Sequence, residues 1–439
     1  MSVEPRNLRT RAEEQIAAEY QARRESLPGS REALARRDAA YAAYAAVGLP
    51  HRRVEAWKYT DLRALLRAVP PLAGEAPAAM VSEIAEGDVL AGLDRARIVI
   101  VNGRYRADLS DLRGAEALKV ENVADILASD PARIGALFAN EDDAMLALNA
   151  ALVQGGVAVT VPAKTELKAP VEIVHITAST DPASVATRTI VSIGAQASLR
   201  LIETFLGGAS AYQVNAVTEL TIGDGANVSW SRLQGEGREA VHVGSLIARL
   251  GRDVGFDHLI VNAGAALSRW QSRIRLTGSG TRIGFYGANM LAGREHGDLS
   301  LVVEHAAPHT TSREVFKNVI DGAGHGVFQG RIVVEPDAQK TDGKMMAQTL
   351  LLSNDGEFDS KPELEIFADD VVCGHGSTTA RIDENHLFYL LSRGVPRAEA
   401  ERLLIEAFLA DAIDAIGDEA IADALKGTIG QWLARRAKG

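Results

Sequence analysis

Cys373 and His375, two residues apart, are the side chains in this chain best suited to binding a soft metal, and Cys373 is its only cysteine. Just ahead, residues 361–370 read KPELEIFADD, with Leu364, Ile366 and, after Phe367, Ala368 set among carboxylates. That alternation predicts a half-buried strand, and Val371 and Val372 extend it. Side chains at i and i+2 of a strand share a face. A thiolate and an imidazole on one face can hold iron, zinc or copper(I), but two ligands do not complete a site. The rest must come from elsewhere in the fold or from a second chain. The pair is also compatible with a small buried hydrophobe beside a hydrogen-bonded loop residue.

Other reactive residues argue for less. His305 and His309 have the i, i+4 spacing of a helical chelate, but Pro308 between them disfavours a helix there. His175, His242 and His258 are scattered among strand-like segments and read as core or surface residues. Glu363, Glu365, Asp369 and Asp370 raise polysaccharide cleavage as an alternative, which needs two placed carboxylates and an aromatic platform. Aromatic residues are only 5% of the chain, which weighs against it. The glycine-rich pieces GAGHG (322–326) and GSGTRIG (278–284) do not match a phosphate-binding loop and read as turns.

The elements that must position these residues fall into three blocks. Residues 1–90 predict a helical region and linker: two helices broken at Pro28-Gly29, the second capped by Ser30, then a proline-rich stretch over 69–77. Residues 91–382 predict a β core, with a hairpin turn at Asn102-Gly103 and a helical insertion near 123–152. Within it, turn glycines at 194, 223, 251 and 278 recur at 29, 28 and 27 residues (223 − 194, 251 − 223, 278 − 251). Each is followed by another alternating segment, the texture of solenoid coils with two short strands apiece; a β-sandwich gives similar texture without the period. Residues 383–439 return to helix, with Leu403, Leu404, Ala407 and Phe408 as the expected apolar stripe.

Bulk composition narrows the classes. With 439 residues, 46% of them hydrophobic, the chain has ample core for two or three domains. A net charge of −11 argues against nucleic-acid binding. One cysteine excludes an intramolecular disulfide framework and any three- or four-cysteine cluster site within one chain. No secretory signal or membrane-length apolar run is present, so the expectation is a soluble, cytoplasmic protein.

Three ordered segments carry a resemblance. Cys-x-His-Gly at 373–376, followed by Ser-Thr, an acidic turn and LFYLLSRGV (387–395), resembles the C-terminal signature of the SufB/SufD family, scaffold components for assembling iron–sulfur clusters. PHRRVEAWKYTDL (50–62) is similar to the family's N-terminal segment through Arg53, Glu55, Trp57, Lys58, Tyr59, Thr60 and Asp61. EHAAPHTTSREVFKNVIDG (304–322) and FQGRIVVEPDAQKTDGKMMAQTLLLS (328–353) lie between them.

The resemblance implies a mainly β fold, a right-handed parallel β-helix flanked by helical regions. Gly376 and the single cysteine look like the SufD type rather than the SufB type. The implied function is a non-enzymatic accessory scaffold that pairs with a SufB-like chain and binds a SufC-like ATPase; the alternative within the family is a SufB-like homodimeric scaffold. His375 and Cys373 are then the cluster-assembly and metal residues at the partner interface, where an iron–sulfur cluster is held transiently. Phe388, Leu391 and Arg393, in a helical segment from about 386 to 433, are the expected ATPase contact, against the plainer expectation that those helices cap the open end of the solenoid. Whether the chain forms a homodimer when alone and whether a flavin binds are both left open.

Overall fold

The computed structural model describes residues 9–137 and 143–436; residues 1–8, 138–142 and 437–439, which belong to the expected N-terminal region, helical insertion and C-terminal domain, lie outside that description. Two parallel sheets run the length of the molecule, one of nine strands and one of ten, and the chain alternates between them. The result is a parallel β-solenoid of about eight turns flanked by helices at both chain ends.

Register shows why the repeat exists. Ile193, Ile222, Leu250, Leu276, His305, Val334 and Ile366 stack as one lumen-facing column on the nine-stranded sheet. Each coil ends in a turn laid directly on the turn before it. A Cβ at Gly194 would come within 2.4 Å of Ala163 N, and one at Gly223 within 2.7 Å of Ala195 N. The stacked turns are closed by Gly194 N–H donating to Val161 O and Gly223 N–H to Ile193 O, both at 2.8 Å. Glycine recurs because backbone occupies the place of its side chain.

Alternation along each strand sends one set of side chains into the lumen and the other outward. Phe205, Trp230, Trp270, Phe256, Phe285, Phe316 and Phe328 fill the lumen. Asn262, Asn289 and Asn318 form a ladder across three coils, with amide bonds of 2.7 and 3.2 Å. The outer face of the nine-stranded sheet is covered by helices Arg11–Arg23, Arg31–Val47 and Ala144–Leu152. Ser30 caps the second of these by accepting from Ala33 N–H, as its position predicts. The outer face of the ten-stranded sheet is covered by helices Arg397–Ile413 and Glu419–Arg436.

Several expectations need correcting. The strand predicted through 361–372 is two strands: Glu357–Ile366 in one sheet and Val372–Ala380 in the other. Ala368 keeps the alternation going in the sequence, but it is a buried turn residue, and the bend stacks on the turn below through Lys340 N–H to Asp370 O (2.6 Å). The stretch over 69–77 is no free linker, since Ala73 N–H donates to Ser184 O and Ser184 N–H to Pro71 O, both at 2.8 Å. On helix Arg397–Ile413 the buried face is Ala400, Ile405, Leu409, Ala412 and Ile413; of the expected stripe, Phe408 packs half-buried against that core, whereas Leu403 and Ala407 are exposed. The C-terminal helices pack on the side of the solenoid, against Leu259, Val261, Ala288, Met290 and Val319, and do not close its end.

Candidate functional site

The last coil is where the chemistry-bearing pair sits. Val372–Ala380 pairs with Asp342–Leu351, and Glu357–Ile366 pairs with His325–Val334; each ends its sheet. Register places Cys373 over Gly343 and Ser312, and His375 over Met345 and Glu314. Met345 belongs to the lumen core and Cys373 packs against it, so both candidate residues face the lumen at its mouth. Cys373 is half-buried and His375 exposed, because no further coil covers them. Burial pushes the Cys373 thiol up; the Gly343 backbone contact opposes this, and the charges of Asp342 and Glu314 add to it.

The two terminal edges are not equivalent. Val372 N–H donates inward to Thr341 O at 2.9 Å, so the amides of Cys373, His375, Ser377 and Thr379 point out of the sheet edge. On the other edge, Glu357 N–H and Phe367 N–H bond inward, to Gly324 O (3.0 Å) and Val334 O (2.9 Å). The outward positions there include residue 362, a proline, which has no N–H to offer. Phe367 and Val372 stand 63% and 62% exposed at this end, unusual for such side chains away from a partner.

Helix Glu384–Ser392 follows, packed on Arg397–Ile413. It buries only Leu387 and leaves Phe388 71%, Tyr389 57% and Leu391 36% exposed. The Arg393 guanidinium lies 5.2 Å from the Tyr389 ring.

The 50–62 segment turns out to be a strap across the outer face of the nine-stranded sheet. Trp57 is buried with the Arg269 guanidinium 4.0 Å above its ring, and Arg269 also donates to Ala56 O at 2.6 Å. Thr60 bridges Asp298 and His296, and Arg269 pairs with the same Asp298. Glu55 pairs with Lys361. The N-terminal signature segment therefore touches strand Glu357–Ile366 of the last coil, about 300 residues on in sequence, and these residues serve architecture.

The remaining candidates are absorbed by structure. His305 lies at the end of strand His296–His305, facing the lumen, and His309 takes a left-handed turn conformation (φ 57°), so no helical chelate forms. His175, His242 and His258 are all buried. Glu363 pairs with Lys361 (3.2 Å), Glu365 with Arg331 (2.9 Å) and Asp370 with Lys340. Among the described residues, no group of three or more His, Cys, Asp or Glu side chains is arranged to hold a metal ion, and no helix is long and apolar enough to cross a membrane.

One buried lumen residue two rungs below the mouth was missed from sequence. Glu314 shares a strand face with Ser312 and Phe316, so a carboxylate on an apolar face was legible in the pattern T-S-R-E-V-F.

Comparison with known proteins agrees with this architecture. A family model for the SufBD core domain of the SUF system for FeS cluster assembly matches residues 175–408, and one for the SufBD protein N-terminal region matches residues 10–173. The chain is 28% identical over 383 residues to an iron–sulfur cluster assembly SufBD family protein of Synechocystis sp., covering 84% of each chain. It is 31% identical over 392 residues to the iron–sulfur cluster assembly protein SufD of Escherichia coli, covering 88% of this chain and 90% of that one. It is 27% identical over 290 residues to SufD of Bacillus subtilis, covering 64% and 65%.

Proposed function

The chain belongs to the SufBD family of iron–sulfur cluster assembly proteins, and from that premise we propose that it is a non-enzymatic, cytoplasmic scaffold subunit that pairs with a SufB-like chain through its open solenoid end. The observation that carries this reading is the bare edge of Val372–Ala380 beside an uncapped lumen. An exposed edge strand recruits another strand unless it is blunted, and a solenoid end needs a cap. Of the two edges, the one bearing Cys373 and His375 keeps its outward amides, whereas Pro362 blunts the other. A partner strand added there would face His375 and Cys373 directly. One thiol and one imidazole leave the coordination of an iron–sulfur cluster incomplete, so thiolates of the partner complete it and the cluster is held only at the interface.

The ATP-driven step belongs to a SufC-like subunit. We assign its contact to helix Glu384–Ser392, whose Phe388, Tyr389 and Leu391 present an apolar face, with Arg393 at its end. The side-on packing of the helices behind it weakens the alternative that this unit serves as the solenoid's cap.

The test is His375→Ala co-expressed with SufB-like and SufC-like partners, with complex yield, iron and sulfide measured. Loss of iron and sulfide from an intact complex is the expected result. Normal cluster content would refute the assignment of His375, and a chain that stays a monomer beside both partners would refute the pairing. For the ATPase contact, Phe388→Ser should abolish capture of the SufC-like subunit; undiminished capture refutes that assignment.

A further inference from the structure

The outer face of the nine-stranded sheet is covered unevenly. Helices sit on its N-terminal coils, the strap crosses it at Arg269, and beside them an open depression of about 470 Å³ remains. Arg249, Arg273, Arg275 and Arg331 line it, and among the described residues Glu304 is the one carboxylate in that lining. Four positive charges against one negative make an island of opposite sign in a chain of net charge −11.

These arginines face outward because their neighbours Ala248, Leu250, Ile274 and Ile332 fill the lumen. Register fixes the layout. Arg249 and Arg275 are partners on neighbouring rungs, roughly 4.8 Å apart at the backbone, and Glu304 follows on the next. In the adjacent column Arg273, Val302 and Arg331 occupy three successive rungs.

A ladder that only ties coils together would alternate in charge from rung to rung. Part of this one does: Arg275 pairs with Glu304 and with Glu335 (2.6 Å), and Arg331 pairs with Glu365 (2.9 Å). Arg249 breaks the pattern. It is exposed, has no carboxylate partner among the described residues, and stands beside Arg275, where like charges destabilise. Arg273 and Arg331 crowd one another as well: burial, and after it the Arg331 charge, hold the Arg273 guanidinium below its ordinary value. A guanidinium has five N–H donors in a planar fork, so Arg275 and Arg331 hold donors beyond their internal pairs.

The rim says what kind of anion fits. Glu304, Glu335 and Glu365 stand around the arginines, so a long polyanion laid across the face would meet carboxylates as well as cations. A compact anion avoids them, and the depression has the size of a small-molecule site. Arginine forks match carboxylate and phosphate oxygens in pairs. We propose that Arg249, Arg275 and Arg331 form a binding site for a small multivalent oxyanion, one carrying two or more carboxylate or phosphate groups, with Val302 beneath it. The site lies on the sheet opposite the one that carries the C-terminal helices and strand Val372–Ala380, so it stands apart from the partner contacts proposed above.

The experiment is a calorimetric titration of the full-length protein with citrate and with pyrophosphate, in metal-free buffer of low ionic strength, with acetate as the monovalent control. The wild type should bind at least one of the two probes at a single saturable site, more weakly as salt is added, and acetate far more weakly than either. Arg249→Gln removes a charge that holds no internal pair and should weaken binding about tenfold; Arg331→Gln should do the same. Arg113→Gln makes the same change in net charge outside the depression and should leave binding unchanged. Thermal unfolding checks that each variant is folded. Tighter binding of citrate assigns the site to carboxylates, and tighter binding of pyrophosphate to phosphates. A wild type that binds neither probe would overturn the proposal, as would a folded Arg249→Gln that binds like wild type, acetate that binds as tightly as citrate, or an equal loss in Arg113→Gln.

Discussion

The two ends of the solenoid solve the same problem in opposite ways. At the N-terminal end both sheets finish in short antiparallel pieces: Lys119–Asn122 lies against Gly155–Val161, and Arg104–Tyr105 folds back on Ala96–Val101 through the Asn102-Gly103 turn, with φ of 45° and 76°. Those pieces occupy the edges that would otherwise recruit another chain. At the C-terminal end neither edge is occupied, apolar side chains stand exposed, and the helices that follow pass alongside rather than over it. A closed end beside a bare one is the arrangement that the proposed pairing requires.

The contrast breaks most completely if the open edge is disabled alone. Thr379→Pro removes an outward amide of Val372–Ala380 without costing a bond to Asp342–Leu351, and proline is tolerated at such positions. Co-purification with the SufB-like partner should be lost while the isolated chain unfolds within a few degrees of wild type. A variant that still pairs would show that the edge is not the interface. The strap makes the complementary case. Trp57→Ala empties a site 2% exposed and strips the Arg269 guanidinium of its ring, and should cost about 3–5 kcal/mol of stability by chemical denaturation. Under conditions where the variant remains folded, pairing should be unaffected; a selective loss of pairing would mean that the strap also shapes the open end.

The third effect is a pH dependence. The Glu314 carboxyl is raised to about 8 in the fold from an ordinary value of 4.5. Below about 4.5 both states hold the proton and nothing is lost. Between 4.5 and 8 the unfolded chain ionises first, so stability falls as pH rises, and above 8 the loss is complete. The difference between wild type and Glu314→Gln should therefore grow with pH across that window, by on the order of a few kcal/mol. Buried histidines act the other way: His296 and His305, lowered by burial to about 4, add stability as pH rises from there towards 6.5. Subtracting the variant's profile isolates Glu314; parallel profiles would show that it carries no raised acidity.

Much of this was legible in the residues. The glycine spacing revealed the coils because stacked turns leave no room for a Cβ, and Asn102-Gly103 revealed its hairpin because both residues need positive φ. The Cys-x-His pair was placed on one face by period alone. What failed did so for physical reasons. The turn over 367–371 was hidden because Ala368 continues the alternation while packing into a bend. The buried face of Arg397–Ile413 was misread because alanines and leucines surround that helix, and only its docking on the ten-stranded sheet selects Ile405 and Leu409. Pro362 was the overlooked clue: a proline inside a strand marks an edge with its amide side outward.

The smallest effect belongs to the contact between the strap and the last coil. Glu55 pairs with Lys361, which also reaches Glu363 at 3.2 Å. The lysine's side chain is 22% exposed but the Glu55 side chain 79%, so solvent and salt screen the pair. The Lys361 contact holds the Glu55 carboxyl below its ordinary value, which places any contribution above that value and removes it as pH falls. Because Glu55 is so exposed, Glu55→Gln should leave the unfolding midpoint within the scatter of replicates at moderate salt. The anchoring of the strap would then rest on Trp57 and the Thr60–Asp298–Arg269 cluster, which are buried. A large shift in Glu55→Gln would mean that the strap is held from its exposed edge, and would move the centre of that interface from Trp57 to the terminal coil.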